Sequence, residues 1–345
     1  MKLIKEHLPD SEVTVLILNK TFEDLIDTSP YVDKIVSFDD AKSAIARVRL
    51  VLSLRREKYD VSLIAFPSNR IQYNVLSYLI GANRRITHSY PVGFIRTLAF
   101  LQNERVPAIY GIHDVQQNIN LLKQMGLTNI NNTHPEIFLT DKEIQFAKEF
   151  LHNSGISLTD LIIGIHPGSS KGLSAKRWPE ERFAKVIEHM VTKHSNAKVI
   201  LFGGPDELDA VRNIHSVCKA KPVIATGNTI KQTAAIIKGC TLLLNVDSGL
   251  GHIASCLNIP TVTIFGPANP KRVTPYGDKS YVIKSNHPCS PCYQYPFHQT
   301  NDKIHCSTME CMKQIDEEMV IRAVEEQINT FSTQNRKPKK TPHDP

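Results

Sequence analysis

The sequence lacks any apolar run that approaches the roughly 20 residues of a membrane-spanning helix, and it has a single tryptophan among 345 residues. No charged leader followed by an apolar stretch opens the chain, because residues 1–10 mix apolar and charged side chains. We therefore expect no bilayer crossing and a cytoplasmic location. The basic residues from Arg336 to Lys340 have no aromatic residues between them, so we expect no nucleic-acid partner.

An excess of acidic residues is also missing, and the net charge is +7. Most surpluses of this size are plain solubilising charge. The same balance also suits a peripheral enzyme that works on anionic lipid at a membrane surface. Composition therefore leaves both interpretations open.

Cysteine is absent before Cys218, and four of the seven cysteines cluster late in the chain. Their spacing allows a tetrahedral zinc site, with three histidines nearby. The segment is irregular, however, and cytoplasmic thiols are often reduced and metal-free. We expect no metal and keep zinc as the alternative. The cluster consists of Cys289, Cys292, Cys306 and Cys311, near His287, His298 and His305.

Short β-branched segments alternate with helical patterns along the chain, which is typical of βαβ units. We predict strands at residues 13–18, 34–38, 61–66, 161–165, 198–202, 222–226, 241–246 and 261–265. We predict helices at 41–54, 71–80, 113–125 and 317–328, and no regular element at 90–111. We also predict a helix after Trp178, in which Phe183, Val186, Ile187 and Met190 form one apolar stripe. The length suits two domains, at 1–155 and 156–330, followed by a disordered basic tail at 331–345. In doubly wound folds, ligands bind at the carboxyl ends of the strands, so the site is expected in the cleft between the domains.

The strand at 161–165 is followed by a loop of small residues that contains Ser169 and Ser170, and then by Lys176 before a helix. Small residues let backbone N–H groups approach a phosphate, and a lysine adds a full positive charge. The alternative is a surface loop with an incidental lysine. The loop that follows the predicted strand at 198–202 contains Glu207. This side chain could accept hydrogen bonds from ribose hydroxyls, or it could merely favour the first turn of the next helix.

The segment that follows the strand at 241–246 turns directly into a helix. Asp247 or Ser248 is expected at its N-cap, with Ser248 and the amide of Gly249 facing a pyrophosphate. His252 lies one turn into the helix, near the site, although a histidine among apolar residues is more often structural. The spacing from Gly249 to Ala254 also matches a dinucleotide fingerprint, but the next strand ends without the acid that such a site needs.

Taken in order, the motifs HPGSS, Lys176-x-Trp178-Pro179, GGPDE, DSGLGH and IFGP resemble the C-terminal domain of glycosyltransferase family 9, the heptosyltransferases. The resemblance implies an α/β chain of GT-B fold, with two Rossmann-like doubly wound domains. It implies inverting, metal-independent transfer of a sugar without a cofactor. The implied donor is a nucleotide-diphosphate sugar, commonly ADP-heptose, and the acceptor is a lipid-linked glycan such as the lipopolysaccharide core.

By position, the resemblance implies that Lys176 contacts the donor phosphate, Glu207 the ribose and Asp247 the sugar hydroxyls. It also implies that Ser248 and Gly249 contact the pyrophosphate. Family members begin with a strand and a Gly-Asp turn, whereas residues 1–10 look like the latter half of the helix that follows. The family's expected general base lies in that turn, so no catalytic residue is assigned here.

We therefore expect an incomplete N-terminal domain, and a late start codon or a truncated gene is our hypothesis. Two other functions stay open. One is a sugar-nucleotide epimerase or hydrolase of the same architecture, and the other is an inactive nucleotide-binding remnant.

Overall fold

The computed structural model describes residues 1–130, 133–169, 171–298, 304 and 306–334, which form two compact units. Ser170, His305 and residues 335–345 of the expected tail lie outside the described residues. Within the described ranges, no helix combines the length and apolarity that crossing a membrane requires. Unit 1 comprises Met1–Phe138, Lys271–Val273 and Tyr293–Lys303, and unit 2 comprises Leu139–Pro270, Thr274–Cys292 and Ile304–Pro345.

The described residues of the segment Met1–Phe138 of unit 1 contain four helices and five strands. The helices are α1 (Lys2–His7), α2 (Ala44–Arg56), α3 (Ile71–Ile80) and α4 (Asp114–Met125). The strands are β1 (Thr14–Ile17), β2 (Lys34–Ser37), β3 (Val61–Leu63), β4 (Arg84–Ser89) and β5 (Glu104–Pro107). Short 3-10 turns cover Lys20–Leu25, Phe38–Asp40 and Ala99–Leu101.

The strands of unit 1 form two separate parallel sheets, with the orders β1-β2 and β3-β4-β5. No ladder joins β1 to β3 in the described part of the chain, so each sheet ends in an open edge there. A side-chain bridge spans the two sheets, because the hydroxyl of Tyr59 donates to Oγ1 of Thr14 at 3.2 Å. All four residues of β1 are only half-buried.

The described residues of unit 2 form a single sheet of six parallel strands in the order β11-β10-β9-β6-β7-β8. Its strands are β6 (Leu161–His166), β7 (Ala197–Gly203), β8 (Val223–Thr226), β9 (Leu242–Val246), β10 (Thr261–Phe265) and β11 (Ser280–Lys284). The helices that follow unit 1 in the chain are α5 (Asp141–Asn153), α6 (Glu180–Lys193), α7 (Leu208–Val217), α8 (Ile230–Lys238), α9 (Gly249–Cys256), α10 (Pro270–Val273), α11 (Glu310–Lys313) and α12 (Glu317–Gln334). Every residue of β6, β9 and β10 is buried.

Helix α6 shows how the sequence builds this core. Its residues Phe183, Val186, Ile187 and Met190 recur at helical spacing, and each is at most 1% exposed. Trp178 precedes the helix and packs edge-on against Phe183, with ring centroids 4.8 Å apart. A stripe that was visible in the sequence therefore anchors α6 to the sheet.

Three strands of the structure were not predicted from the sequence. Residues 90–111 contain β5 and a 3-10 turn, although no regular element was predicted there. Strands β4 and β11 were also missed. The expected domain boundary near residue 155 differs from the end of unit 1 at Phe138, because α5 packs against α8 and belongs to unit 2.

Candidate functional site

Three loops of unit 2 meet at one edge of its sheet. They follow β6, β7 and β9, which are adjacent parallel strands, so their carboxyl ends lie side by side. These are the loops that carry Lys176, Glu207 and Asp247. The structure thus brings together the three motifs that the sequence singled out.

His166, the last residue of β6, connects the three loops. It is 4% exposed. Its Nε2 donates to Oε2 of Glu207 at 2.9 Å, since a carboxylate can only accept, and its Nδ1 lies 2.9 Å from the hydroxyl of Ser248. His166 stood within a quoted motif, but no role was predicted for it.

Glu207 lies within this network and is 7% exposed. Burial by itself would raise the pKa of Glu207, but the hydrogen bond and charge of His166, the Gly204 amide and Arg177 together hold that pKa below its ordinary value. The Gly204 amide donates to Oε2 of Glu207 at 2.7 Å. A Cβ on Gly168 would lie 2.4 Å from the Glu207 carboxyl carbon, so only glycine fits there. Glu207 is therefore held as an anion in a fixed orientation.

Lys176 and Asp247 form a buried ion pair, with Nζ and Oδ2 2.6 Å apart. Their side chains are 10% and 7% exposed. Burying two charges is costly unless they pair, and removing one partner leaves the other uncompensated. The structure places the two predicted site residues Lys176 and Asp247 in direct contact, a pairing that the sequence did not predict.

Ser248 is the N-cap of α9, one of the two residues expected there. Its hydroxyl makes no capping hydrogen bond within the described structure and faces His166 instead. The first amides of α9 are therefore left for an anion. A Cβ on Gly249 would meet nothing within 4 Å, so a ligand can approach the backbone there. His252 lies half-buried in the first turn of the same helix.

Gly251 has a different role from Gly249. A Cβ at Gly251 would lie 2.3 Å from Nδ2 of Asn245, and the amide of Asn245 is fixed by hydrogen bonds to Val246 and Thr263. The glycine spacing that matched a dinucleotide fingerprint therefore has a packing cause at its second position.

Of the two serines predicted for the loop after β6, the structure describes Ser169. The hydroxyl of Ser169 donates to the carbonyl of Leu173 at 2.8 Å, so it holds its own loop. The carbonyl of Ser169 accepts from Nη2 of Arg177 at 2.7 Å, and the same guanidinium donates to the carbonyl of Asp206. Arg177 thus ties two of the loops together, and sequence reasoning missed it. Ser170 lies outside the described residues.

The cysteine cluster shows no metal-binding arrangement among the residues that the structure describes. Cys289, Cys292 and Cys306 are exposed, and Cys311 is buried. Burial and the neighbouring thiols Cys289, Cys292 and Cys306 raise the pKa of Cys311. The zinc alternative gains no support from these contacts.

Known proteins resemble most of the chain. The family described as "Glycosyltransferase family 9 (heptosyltransferase)" matches residues 47–303. Lipopolysaccharide heptosyltransferase 3 of Escherichia coli strain K12 is 24% identical over 281 residues, which are 76% of this chain and 76% of that protein.

Two solved structures extend this likeness. The glycosyl transferase family 9 protein of Veillonella parvula DSM 2008 is 25% identical, with a TM-score of 0.76 over 95% of this chain and 91% of that chain. E. coli ADP-heptose lps heptosyltransferase II is 19% identical, with a TM-score of 0.72 over 97% and 94% of the two chains, and it shares the fold.

Proposed function

The chain belongs to glycosyltransferase family 9, the heptosyltransferase family, and from this premise we propose that it transfers heptose from ADP-heptose to a lipopolysaccharide core. It is a glycosyltransferase of GT-B fold. The relatives named heptosyltransferases support heptose as the sugar, and the name of the E. coli structure supports ADP-heptose as the donor.

The observation that carries this proposal is the convergence of a cation, helix amides and a fixed carboxylate at one edge of the unit 2 sheet. The open amides at the start of α9 suit a diphosphate. Glu207 suits ribose hydroxyls, because its Oε1 has no hydrogen bond among the described residues. The arrangement fits the diphosphate, the ribose and the sugar of one donor.

The ion pair between Lys176 and Asp247 suggests how the donor engages the site. The incoming diphosphate takes Lys176 as its counter-ion, and Asp247 then accepts hydrogen bonds from the sugar hydroxyls. In the reaction, an acceptor hydroxyl attacks the anomeric carbon while the bond to the diphosphate breaks. The departing oxygen takes the electron pair, and Lys176 with the α9 amides stabilises its charge in the manner of an oxyanion hole. This is an inverting, metal-independent displacement, and its general base is not assigned to a residue of this chain.

A transfer assay tests the proposal. The purified protein is mixed with ADP-heptose, with and without a heptose-free lipopolysaccharide core. We expect ADP release that depends on the acceptor and a gain of one heptose in the acceptor mass. Donor consumption without acceptor would favour the epimerase or hydrolase alternative. ADP binding without turnover would favour the inactive remnant.

A lipid-linked acceptor is anchored in a bilayer, so the enzyme has to work at a membrane surface. We therefore include peripheral association with the inner membrane in the proposal. The net charge of +7 is compatible with an anionic surface.

A further inference from the structure

Helix α2 of unit 1 exposes an apolar face. Ile45, Val48 and Leu52 are separated by three and four residues, so their side chains share one side of the helix. They are 67%, 59% and 48% exposed. Only Leu54 among the α2 residues is fully buried. The helix therefore presents much of its apolar surface to the outside of unit 1.

The same helix is strongly basic. It carries four arginines and no acidic residue. Arg47 donates to the carbonyl of Ala41, and Arg55 donates to the carbonyl of Leu79. Arg49 and Arg56 are exposed and have no polar partner in the described ranges. Ile45, Val48, Leu52, Arg49 and Arg56 together form what we call the α2 surface.

The elements beside α2 also carry exposed apolar side chains and arginines. Helix α2 packs against α3, and α3 packs against the 3-10 turn Ala99–Leu101. The nearby loop exposes Ile95, which is 77% accessible, and Phe94, whose ring lies 5.3 Å below the guanidinium of Arg105. Arg85 lies in the same way over the exposed ring of Tyr78 on α3. Apolar and cationic groups are thus interleaved on three neighbouring elements.

We propose that the α2 surface docks unit 1 on an anionic lipid bilayer. Interfacial helices insert their apolar face at the level of the headgroups, while arginines bind the lipid phosphates. The negative potential of a cytoplasmic leaflet matches the unopposed charge of α2. The inference rests on the peripheral association included in the proposed function and names the surface that makes it, from side chains of unit 1 that take part in no step of catalysis.

Charge complementarity favours this occupant over a second copy of the chain. Two α2 surfaces brought face to face would oppose Arg49 and Arg56 of one copy to the same two arginines of the other, and like charges in contact are repulsive. A bilayer that contains phosphatidylglycerol supplies opposite charge and apolar depth together. Dimerisation through the α2 surface is one of the outcomes that the test below can detect.

Flotation with vesicles tests the docking. The full chain is mixed with phosphatidylcholine vesicles, with and without phosphatidylglycerol, in the absence of donor and acceptor. We expect binding only to the anionic vesicles, with a decrease as salt rises. The double variant Ile45→Ser with Val48→Ser should bind about tenfold less. Replacing Arg49 and Arg56 by glutamine should cost about fivefold for each arginine.

The matched control is Leu158→Ser with Val217→Ser, which removes two side chains of unit 2 that are 68% and 64% exposed. It should float like the unmodified protein, and all variants should melt at the unmodified temperature. Absence of binding, binding unaffected at Ile45 and Val48, or an equal loss in the control would overturn the docking. A dimer that dissociates in the Ile45 and Val48 variant would overturn it in favour of a second copy. Nucleotide binding by that variant reports separately on the proposed function.

Discussion

Units 1 and 2 are both built from parallel βαβ units, but in the part of the chain that the structure describes only unit 2 has a continuous sheet. Its strands β6, β7 and β9 are adjacent, so the loops at their ends form one site. The five strands of unit 1 form two sheets that are not joined by a ladder within the described residues. The proposed donor site therefore lies on the unit with the continuous sheet, and unit 1 instead exposes a basic and apolar surface.

The largest expected difference between the units is in amide hydrogen exchange. Amides of β1 and β3 that face the open edges should exchange through local openings that cost close to zero free energy. Amides of β6 and β9 should require opening free energies of about 5 kcal/mol or more. Exchange measured by NMR or mass spectrometry checks this. Equal protection of β1 and β9 would show that the break in unit 1 is closed in solution.

The next largest effect concerns the buried ion pair of unit 2. Lys176→Ala leaves the Asp247 carboxylate buried without its counter-ion, which should lower the free energy of unfolding of unit 2 by about 3–5 kcal/mol. The double variant Lys176→Met with Asp247→Leu removes both charges and should recover most of that loss. Urea unfolding compares the variants. A single variant as stable as the unmodified protein would show that the pair is open to water.

Two glycines of α9 provide a closer comparison. Gly251→Ala forces a Cβ against Asn245 and should cost about 1–3 kcal/mol of stability. Gly249→Ala meets open space and should change stability by less than about 0.5 kcal/mol. Thermal melts of the two variants separate packing from ligand access. Equal losses would contradict the different roles given to these positions.

The smallest effect is the acid sensitivity of unit 2. The pKa of Glu207 is held below its ordinary value of 4.5, so the ionised residue stabilises the fold above that pH. This contribution is lost as the pH falls through the lowered pKa. We expect Glu207→Gln to be less stable than the unmodified protein at neutral pH and the difference to shrink in acid. A difference that grows in acid would reverse the sign of the shift.

The sequence predicted unit 2 better than unit 1 for a physical reason. The buried strands β9 (LLLNV) and β10 (TVTIF) consist mostly of apolar and β-branched residues, which indicate a strand without any knowledge of the tertiary structure. Strand β4 reads RRITHS and β5 reads ERVP, so charged residues and a proline conceal them. Strand β11 is at the edge of its sheet and only partly buried.

For the site, motifs after strands located Lys176, Glu207 and Asp247, because strand ends are visible in the sequence. Which side chains contact each other depends on the order of the strands in the sheet. The contacts of His166 require β6 to lie between β7 and β9, which no local pattern shows. The pairing of Lys176 with Asp247 was missed for the same reason.

The most direct test of the donor site is a calorimetric titration of ADP, UDP and GDP into the unmodified chain and into Gly249→Ala. We expect ADP to bind selectively, and the added methyl group to weaken ADP binding by about tenfold or more without a change in melting temperature. No binding of ADP to a folded unit 2, or unchanged binding by Gly249→Ala, would contradict a donor site at the start of α9.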